Sequence, residues 1–186
     1  MGSQDSYPQD SDRGGLDFED LVNRYYGSLY RFAMSLSRSE SEAGDLVQQT
    51  FLSWGAKGHQ LQDHAKVRGW LFTTLHRSFL ASRRRSSRFP ELEISEALSE
   101  LPAVEPDLAR QLDGQALVQL LDRVDPQFQA AVSLFYLEDY SYPEIASILE
   151  VPAGTVKSRI SRGIAQLRSL IAERGQGRST SQEATP

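Results

Sequence analysis

From Leu16 onward, apolar residues return at steps of three and four. Val22, Tyr25, Leu29, Phe32, Ala33 and Leu36 would line one face of a helix, with Asp17 placed as its N-cap. Ser39 and Glu42 have capping-box spacing. Ala43, Leu46, Val47, Thr50, Phe51 and Trp54 then share one face of a second helix, which Gly55 and Gly58 are expected to end. A polar loop through His64 leads to a third predicted helix over 65–86, whose buried stripe is Val67, Trp70, Leu71, Leu75 and Phe79.

The pattern then breaks. Residues 90–107 hold Pro90, Pro102 and Pro106 among scattered acids and show little periodicity, the composition of a flexible acidic linker. Helical spacing resumes over 108–123, 127–138, 141–149 and 152–173. Asp125 is placed as a cap with Pro126 at the first turn, and Ser141 with Glu144 repeats the capping-box spacing. Residues 1–15 and 174–186 are polar and Gly-rich, and bury too little apolar surface to offset the entropy of ordering. No strand-type alternation is sustained, and no internal repeat is found. The predicted fold is all-α: two small helical domains, 16–89 and 108–173, joined by a flexible acidic linker at 90–107, the C-terminal one containing a helix-turn-helix.

Composition narrows the function classes. A chain of 186 residues, 39% hydrophobic, supports one moderate core or two small ones and excludes a large multi-domain enzyme. The absence of cysteine removes disulfides, thiol catalysis and cysteine-ligated zinc. Neither a membrane span nor a signal peptide can be read, so direct membrane insertion is not expected and a cytoplasmic location is. The formal charge of -5 is unevenly spread. Residues 21–90 carry eleven bases against four acids, whereas 91–125 carry nine acids against two bases. The basic block can attract phosphates while the whole chain stays anionic.

The stretch SYPEIASILEVPAGTVKSRISRGIAQLR pairs a short helix, with Ile145, Ala146 and Leu149 inward, with a longer one beginning at Pro152. A tight corner at Glu150 and Val151 separates them. Val156, Ile160, Ile164 and Leu167 fall on the core face of the second helix. That places Thr155, Lys157, Ser158, Arg159 and Arg162 toward solvent near its N-terminal half. A helix entering the major groove needs such side chains in its first turns, and one arginine bidentate to guanine discriminates by about 1–3 kcal/mol. An ordinary helical hairpin with a solvated basic face is the plainer alternative.

The third helix, RGWLFTTLHRSFLASRRR, interleaves Trp70, Phe72 and Phe79 with Arg68, Arg77, Arg83, Arg84 and Arg85. Aromatic faces beside cations suit unstacked single-stranded bases. Trp70 and Phe79 are better explained as core, whereas Phe72 lies off the apolar stripe. His59, His64 and His76 match no metal-ligand spacing, and neither a phosphate loop nor a serine elbow is present. No metal, cofactor or catalytic site is expected.

In this order, EAGDLVQQTFLSW, GWLFTTLHRSFLASRRR and SYPEIASILEVPAGTVKSR resemble regions 2.2, the promoter-melting segment and 4.2 of the extracytoplasmic-function (ECF) sigma factors of bacterial RNA polymerase. The resemblance covers roughly 17–88 and 117–171. It implies a promoter-specificity factor that is not an enzyme and that binds core RNA polymerase and promoter DNA. Asp45, Gln48, Gln49 and Leu52 would dock on the β′ clamp helices. Residues 57–66, with His59, Gln60 and Lys66, would capture a flipped base of the minus 10 element. Arg68, Phe72, Arg77, Arg83 and Arg84 would hold the opened strand. Thr155, Lys157, Ser158, Arg159 and Arg162 would read the minus 35 duplex, with region 4 touching the polymerase β flap. An anti-sigma factor is a further partner implied by the family.

The chain departs from the pattern at four positions. Gln49 stands where the family commonly has Glu, Arg77 and Ala81 where Asn and Asp are frequent, and Glu150 where the corner is usually Gly. The acidic linker either follows the polymerase's RNA path or is a solubilising tether, and its acids could also shield the basic helix. The alternative function is a two-domain helix-turn-helix regulator that binds duplex DNA without polymerase.

Overall fold

The computed structural model describes residues 17–61, 63–86 and 114–179, although the side chains of residues 86, 114, 115 and 174–179 are not among those described. The expected tails and the expected acidic linker lie outside the described residues. Seven α-helices are described: α1 Phe18–Ser37, α2 Glu40–Lys57, α3 Val67–Ser86, α4 Gly114–Leu121, α5 Pro126–Tyr136, α6 Tyr142–Leu149 and α7 Ala153–Ser179. Two single 3-10 turns, Gly58–Gln60 and His64–Lys66, join α2 to α3.

Local chemistry explains most boundaries. Ser39 Oγ accepts the Glu42 N–H at 3.4 Å, which starts α2. Asp125 accepts the Gln127 backbone N–H at 3.1 Å and its side-chain amide at 3.0 Å, and Pro126 occupies the first turn of α5. Asp125→Ala should therefore cost about 1 kcal/mol, read as a lowered urea midpoint with unchanged slope. Ahead of α6, one Glu144 oxygen accepts both the Ser141 N–H at 2.8 Å and its hydroxyl at 2.5 Å. These bonds to the ionised form hold the Glu144 carboxyl below its ordinary range. Asp17 precedes α1 but makes no side-chain cap; its carbonyl accepts from Leu21 instead.

One boundary is corrected. Gly55 does not end α2, which runs through it to Lys57. A lone exposed glycine weakens a helix without terminating it when flanking residues pack, as Phe51 and Trp54 do here. The chain turns at Gly58, where an added Cβ would lie 2.5 Å from the Trp54 ring, so only glycine passes beneath that indole.

The two helical groups pack against each other. One buried cluster includes Leu29, Phe32 and Leu36 of α1, Val47 of α2 and Leu71, Phe72 and Leu75 of α3. It also includes Leu134, Ile145, Ile148 and Ile160 from the second half. Helix α1 packs on α4 and α5, and α3 packs on α6. Within the α1–α5 seam Ser133 Oγ donates to Ser35 Oγ at 2.8 Å, and Ser35 Oγ donates to the Phe32 carbonyl at 2.8 Å, so two buried hydroxyls satisfy each other. A smaller cluster of Leu117, Leu121, Phe128, Val132 and Leu167 closes α4 and α5 on α7.

Candidate nucleic-acid and polymerase interface

The basic third helix runs from Val67 beneath α6. At its start Arg68 donates to the Glu138 carbonyl at 2.5 Å and to Glu138 Oε2 at 3.2 Å. Its guanidinium lies 4.2 Å from the Tyr140 ring centroid and 5.8 Å from that of Phe72. From α1, Arg31 reaches the other oxygen of Glu138 at 3.3 Å. The Glu138 side chain is 1% exposed against 39% for Arg68, so a buried carboxylate of the second group is clasped by two half-exposed arginines of the first. Burial raises the Glu138 carboxyl above its ordinary range and the two arginines oppose that rise.

Two turns later Arg77 grips Glu150 with Nε at 3.1 Å and Nη2 at 2.5 Å, a two-pronged pair across the same seam. The bond lowers the Glu150 carboxyl and raises the Arg77 guanidinium. Glu150 is the corner residue of the helix-turn-helix and is left-handed at φ 57°, a conformation that costs a non-glycine residue about 1 kcal/mol or more. Between these pairs, buried His76 of α3 has its pKa lowered to about 4, first by desolvation and then by Arg159 of α7.

Phe72 corrects the sequence reading. It is fully buried, with ring centroids 5.4 Å from both Phe32 and Tyr140, so in this conformation no face is free for a base. Tyr140, from the second group, supplies the apolar neighbour that helical spacing on α3 could not reveal. Thr155 is corrected as well: it is 5% exposed instead of solvent-facing. Of the five recognition-helix residues, Lys157 is exposed, and Ser158, Arg159 and Arg162 are half-buried, with the Ser158 hydroxyl on the Thr155 carbonyl at 2.9 Å. Periodicity names the face of a helix, but burial depends on what packs there.

The other expected residues keep solvent access. His59 and Gln60 are exposed on the first 3-10 turn, and Lys66, on the second, pairs with Asp63 at 3.5 Å. Arg83 and Arg84 are exposed, Arg83 lying 5.2 Å from the Phe79 ring centroid. On α2, Asp45, Gln48, Gln49 and Leu52 are all exposed and form a ridge between two grooves. Asp45 and Gln49 border one shared with α3, while Gln48 and Leu52 border one shared with Phe18 and Tyr26 of α1. Among the described residues no cluster of His, Asp or Glu could hold a metal ion, and no helix is long and apolar enough to cross a membrane.

A family model described as Sigma-70 region 2 matches residues 21–89, and one described as Sigma-70, region 4 matches residues 114–167. The ECF RNA polymerase sigma factor SigE of Mycolicibacterium smegmatis is 34% identical over 160 residues, 84% of this chain and 62% of that protein; the chain thus spans under two thirds of that relative. The RNA polymerase sigma factor NccH of Alcaligenes xylosoxydans xylosoxydans is 31% identical over 83% of this chain and 86% of its own length. The sigma factor RpoE of Bartonella quintana, solved in complex with the anti-sigma factor NepR, superposes with a TM-score of 0.65 at 30% identity, over 84% of this chain and 97% of that one. This chain belongs to the ECF sigma factors.

Helices α1–α3 of the sigma factor are thus its region 2, and α4–α7 its region 4 with the helix-turn-helix in α6 and α7. The alternative of a regulator that works without polymerase is not favoured, since the first unit is itself a sigma region. Sequence reasoning missed Arg31, Glu138 and Tyr140, which build the seam between the regions. Glu138 meets Arg68 and Arg31 across 70 and 107 residues of chain, separations at which no local pattern signals a pair.

Proposed function

We propose that this chain directs core RNA polymerase to promoters, with region 4 reading minus 35 duplex and region 2 holding the melted minus 10 strand, while nucleotide chemistry resides in the polymerase. The observation that carries the reading is the ordered pair of sigma regions, one bearing the basic α3 and the other a helix-turn-helix with Lys157, Arg159 and Arg162 on its second helix. Arginine and lysine near a helix start position a protein on phosphates and base edges. His59, Gln60, Lys66, Arg68, Arg77, Arg83 and Arg84 supply cations and donors along α3 and its approach. Phe72 would join them only after Tyr140 withdraws.

The α2 ridge of Asp45, Gln48, Gln49 and Leu52 is proposed as the polymerase contact. Leu52 is 62% exposed, an apolar surface with no partner within the described fold and therefore suited to a protein interface. As RpoE is solved with an anti-sigma factor, a regulator of that kind is proposed here as well. The test is transcription from a matched promoter by core polymerase with and without the chain. Transcripts are expected only with it. Asp45→Ala combined with Leu52→Ser should weaken core association by about tenfold or more while leaving helicity intact. Undiminished capture of core subunits by that double variant would remove the ridge from the interface.

A further inference from the structure

We propose that Gly58 and Trp54 are positioning residues for the minus 10 strand: the indole, lying over a residue without a side chain, fixes where the turn bearing His59 and Gln60 leaves α2. This deepens the sigma-factor reading above and rests on it. The backbone at Gly58 has φ -60° and ψ -30°, a helical conformation open to any residue. Rotational freedom therefore does not explain the glycine; space does. A Cβ there would lie 2.5, 2.6 and 2.9 Å from three atoms of the Trp54 ring, nearer than real side chains pack. At Gly55, three residues earlier in the same helix, a Cβ would meet no such neighbour within 4 Å.

Trp54 is itself held in place. Its ring meets that of Trp70 of α3 edge-on, with centroids 5.4 Å apart, and both indoles pack half-buried against the core cluster. Two helices thus set the height of the turn: α2 supplies the indole and α3 braces it. The Gly58 N–H donates to the Trp54 carbonyl, and the Leu61 N–H donates to the Gly58 carbonyl at 3.0 Å. Leu61 then closes the arch by packing on the same core. Between these fixed points His59 and Gln60 are the exposed pair, whereas Gly58 is buried. Side chains presented from an arch pinned at both ends need little further ordering to meet an unstacked base. Each side chain that must instead be ordered on contact lowers affinity.

The measurement is the rate of open-complex formation by the full chain with core polymerase, on a matched promoter and on promoters substituted at each minus 10 position in turn. The ratio between matched and substituted promoters does not depend on how much of a variant is active, so loss of folded protein alone leaves it unchanged. Gly58→Ala should lower that ratio at one minus 10 position by about fivefold, the order expected when two side chains must be ordered on binding. Trp54→Leu should lower it at the same position, by removing the indole without adding a methyl group. Trp54→Phe placed in the Gly58→Ala background should recover part of it, because the smaller ring makes room. Ratios for minus 35 substitutions should not move in any of these variants. Gly55→Ala, where the added methyl meets open space, should change neither set of ratios.

Unchanged minus 10 ratios in both Gly58→Ala and Trp54→Leu would overturn the proposal. So would an equal loss in Gly55→Ala or a matching fall in the minus 35 ratios, since either would trace the effect to general loosening of the chain. A wild-type chain that forms open complexes without preferring any base at minus 10 would sink the proposed function, and this inference with it. That failure is told apart from the others because it is visible before any variant is made.

Discussion

Gly163→Leu is expected to destabilise the chain by about 3 kcal/mol or more, a large share of the roughly 5–15 kcal/mol that keeps a domain folded. Gly163 lies where α7 crosses α5. A Cβ built there collides with Val132 Cγ2 and lies 3.1 Å from Phe128 Cβ. Val132 is fully buried and β-branched, so its χ1 is strongly restricted and moving aside is costly. Gly163→Ala is the sharper measurement. A helix gains about 1 kcal/mol from alanine in place of glycine, while forced overpacking costs about 1–3 kcal/mol, so the net loss should be about 1 kcal/mol. In that background Val132→Ala should cost less than it does in the wild type, because the smaller side chain makes room for the new methyl. Urea unfolding of the four proteins in the cycle should give a coupling of about 1 kcal/mol; additive losses would mean the helices do not cross at this glycine.

The second large effect is acid destabilisation through His76. Its pKa falls from 6.5 to about 4 on folding, chiefly because burial removes water from the imidazolium, with Arg159 adding repulsion and Glu150 partly opposing it. Well above pH 6.5 folded and unfolded chains both hold the imidazole neutral, and it contributes nothing to the pH dependence. Below that value the unfolded chain takes up a proton that the folded chain refuses, so stability falls as the pH drops toward 4. The loss should approach about 2 kcal/mol at pH 5 and about 3 kcal/mol at pH 4. Glu144 and Glu150, whose carboxyls are lowered, lose their contributions only at more acid pH. His76→Gln should therefore flatten the stability profile between pH 7 and pH 5. Parallel profiles for wild type and variant would show that the ring does not titrate in this environment.

His76 also locates this sensitivity at the seam between the regions. The charged groups that act on it, Arg159 of α7 and Glu150 at the corner before α7, both belong to region 4. A proton placed there adds a second cation near Arg159 at a buried site. Acidification is expected to loosen the packing of α3 on α6 before it melts either helix, with near-ultraviolet circular dichroism changing ahead of the far-ultraviolet signal.

The helices were legible because their causes are local. Ser39, Asp125 and the Ser141–Glu144 pair act within three residues, and the apolar stripes of α1, α2 and α7 face the core, with Val22, Tyr25 and Trp54 half-buried at its edge. The corner at Glu150 was legible too, since it falls between two helical stripes that cannot be continued as one, and the structure adds that it is left-handed. Gly55 was misread because a glycine is a stop signal only where nothing beyond it packs. Phe72 and Thr155 were misread because a helical wheel drawn for one helix contains no neighbours.

For the candidate site, the residue types were readable and their state was not. Arg68 and Arg77 are cations beside aromatics on any reading of α3. That they already hold carboxylates follows only from the docking of α6 and the turn before it.

By itself the sequence determined the helical elements, their inward faces, the order of the two sigma regions and the placement of basic residues on α3 and α7. Each follows from interactions spanning one or two turns, where spacing and side-chain chemistry suffice. Only the tertiary structure decided that the regions share one core, that Glu138 sits buried between Arg31 and Arg68, and that Arg77 meets Glu150. Those contacts join residues many turns apart, and their energies depend on mutual burial, a property no single segment possesses.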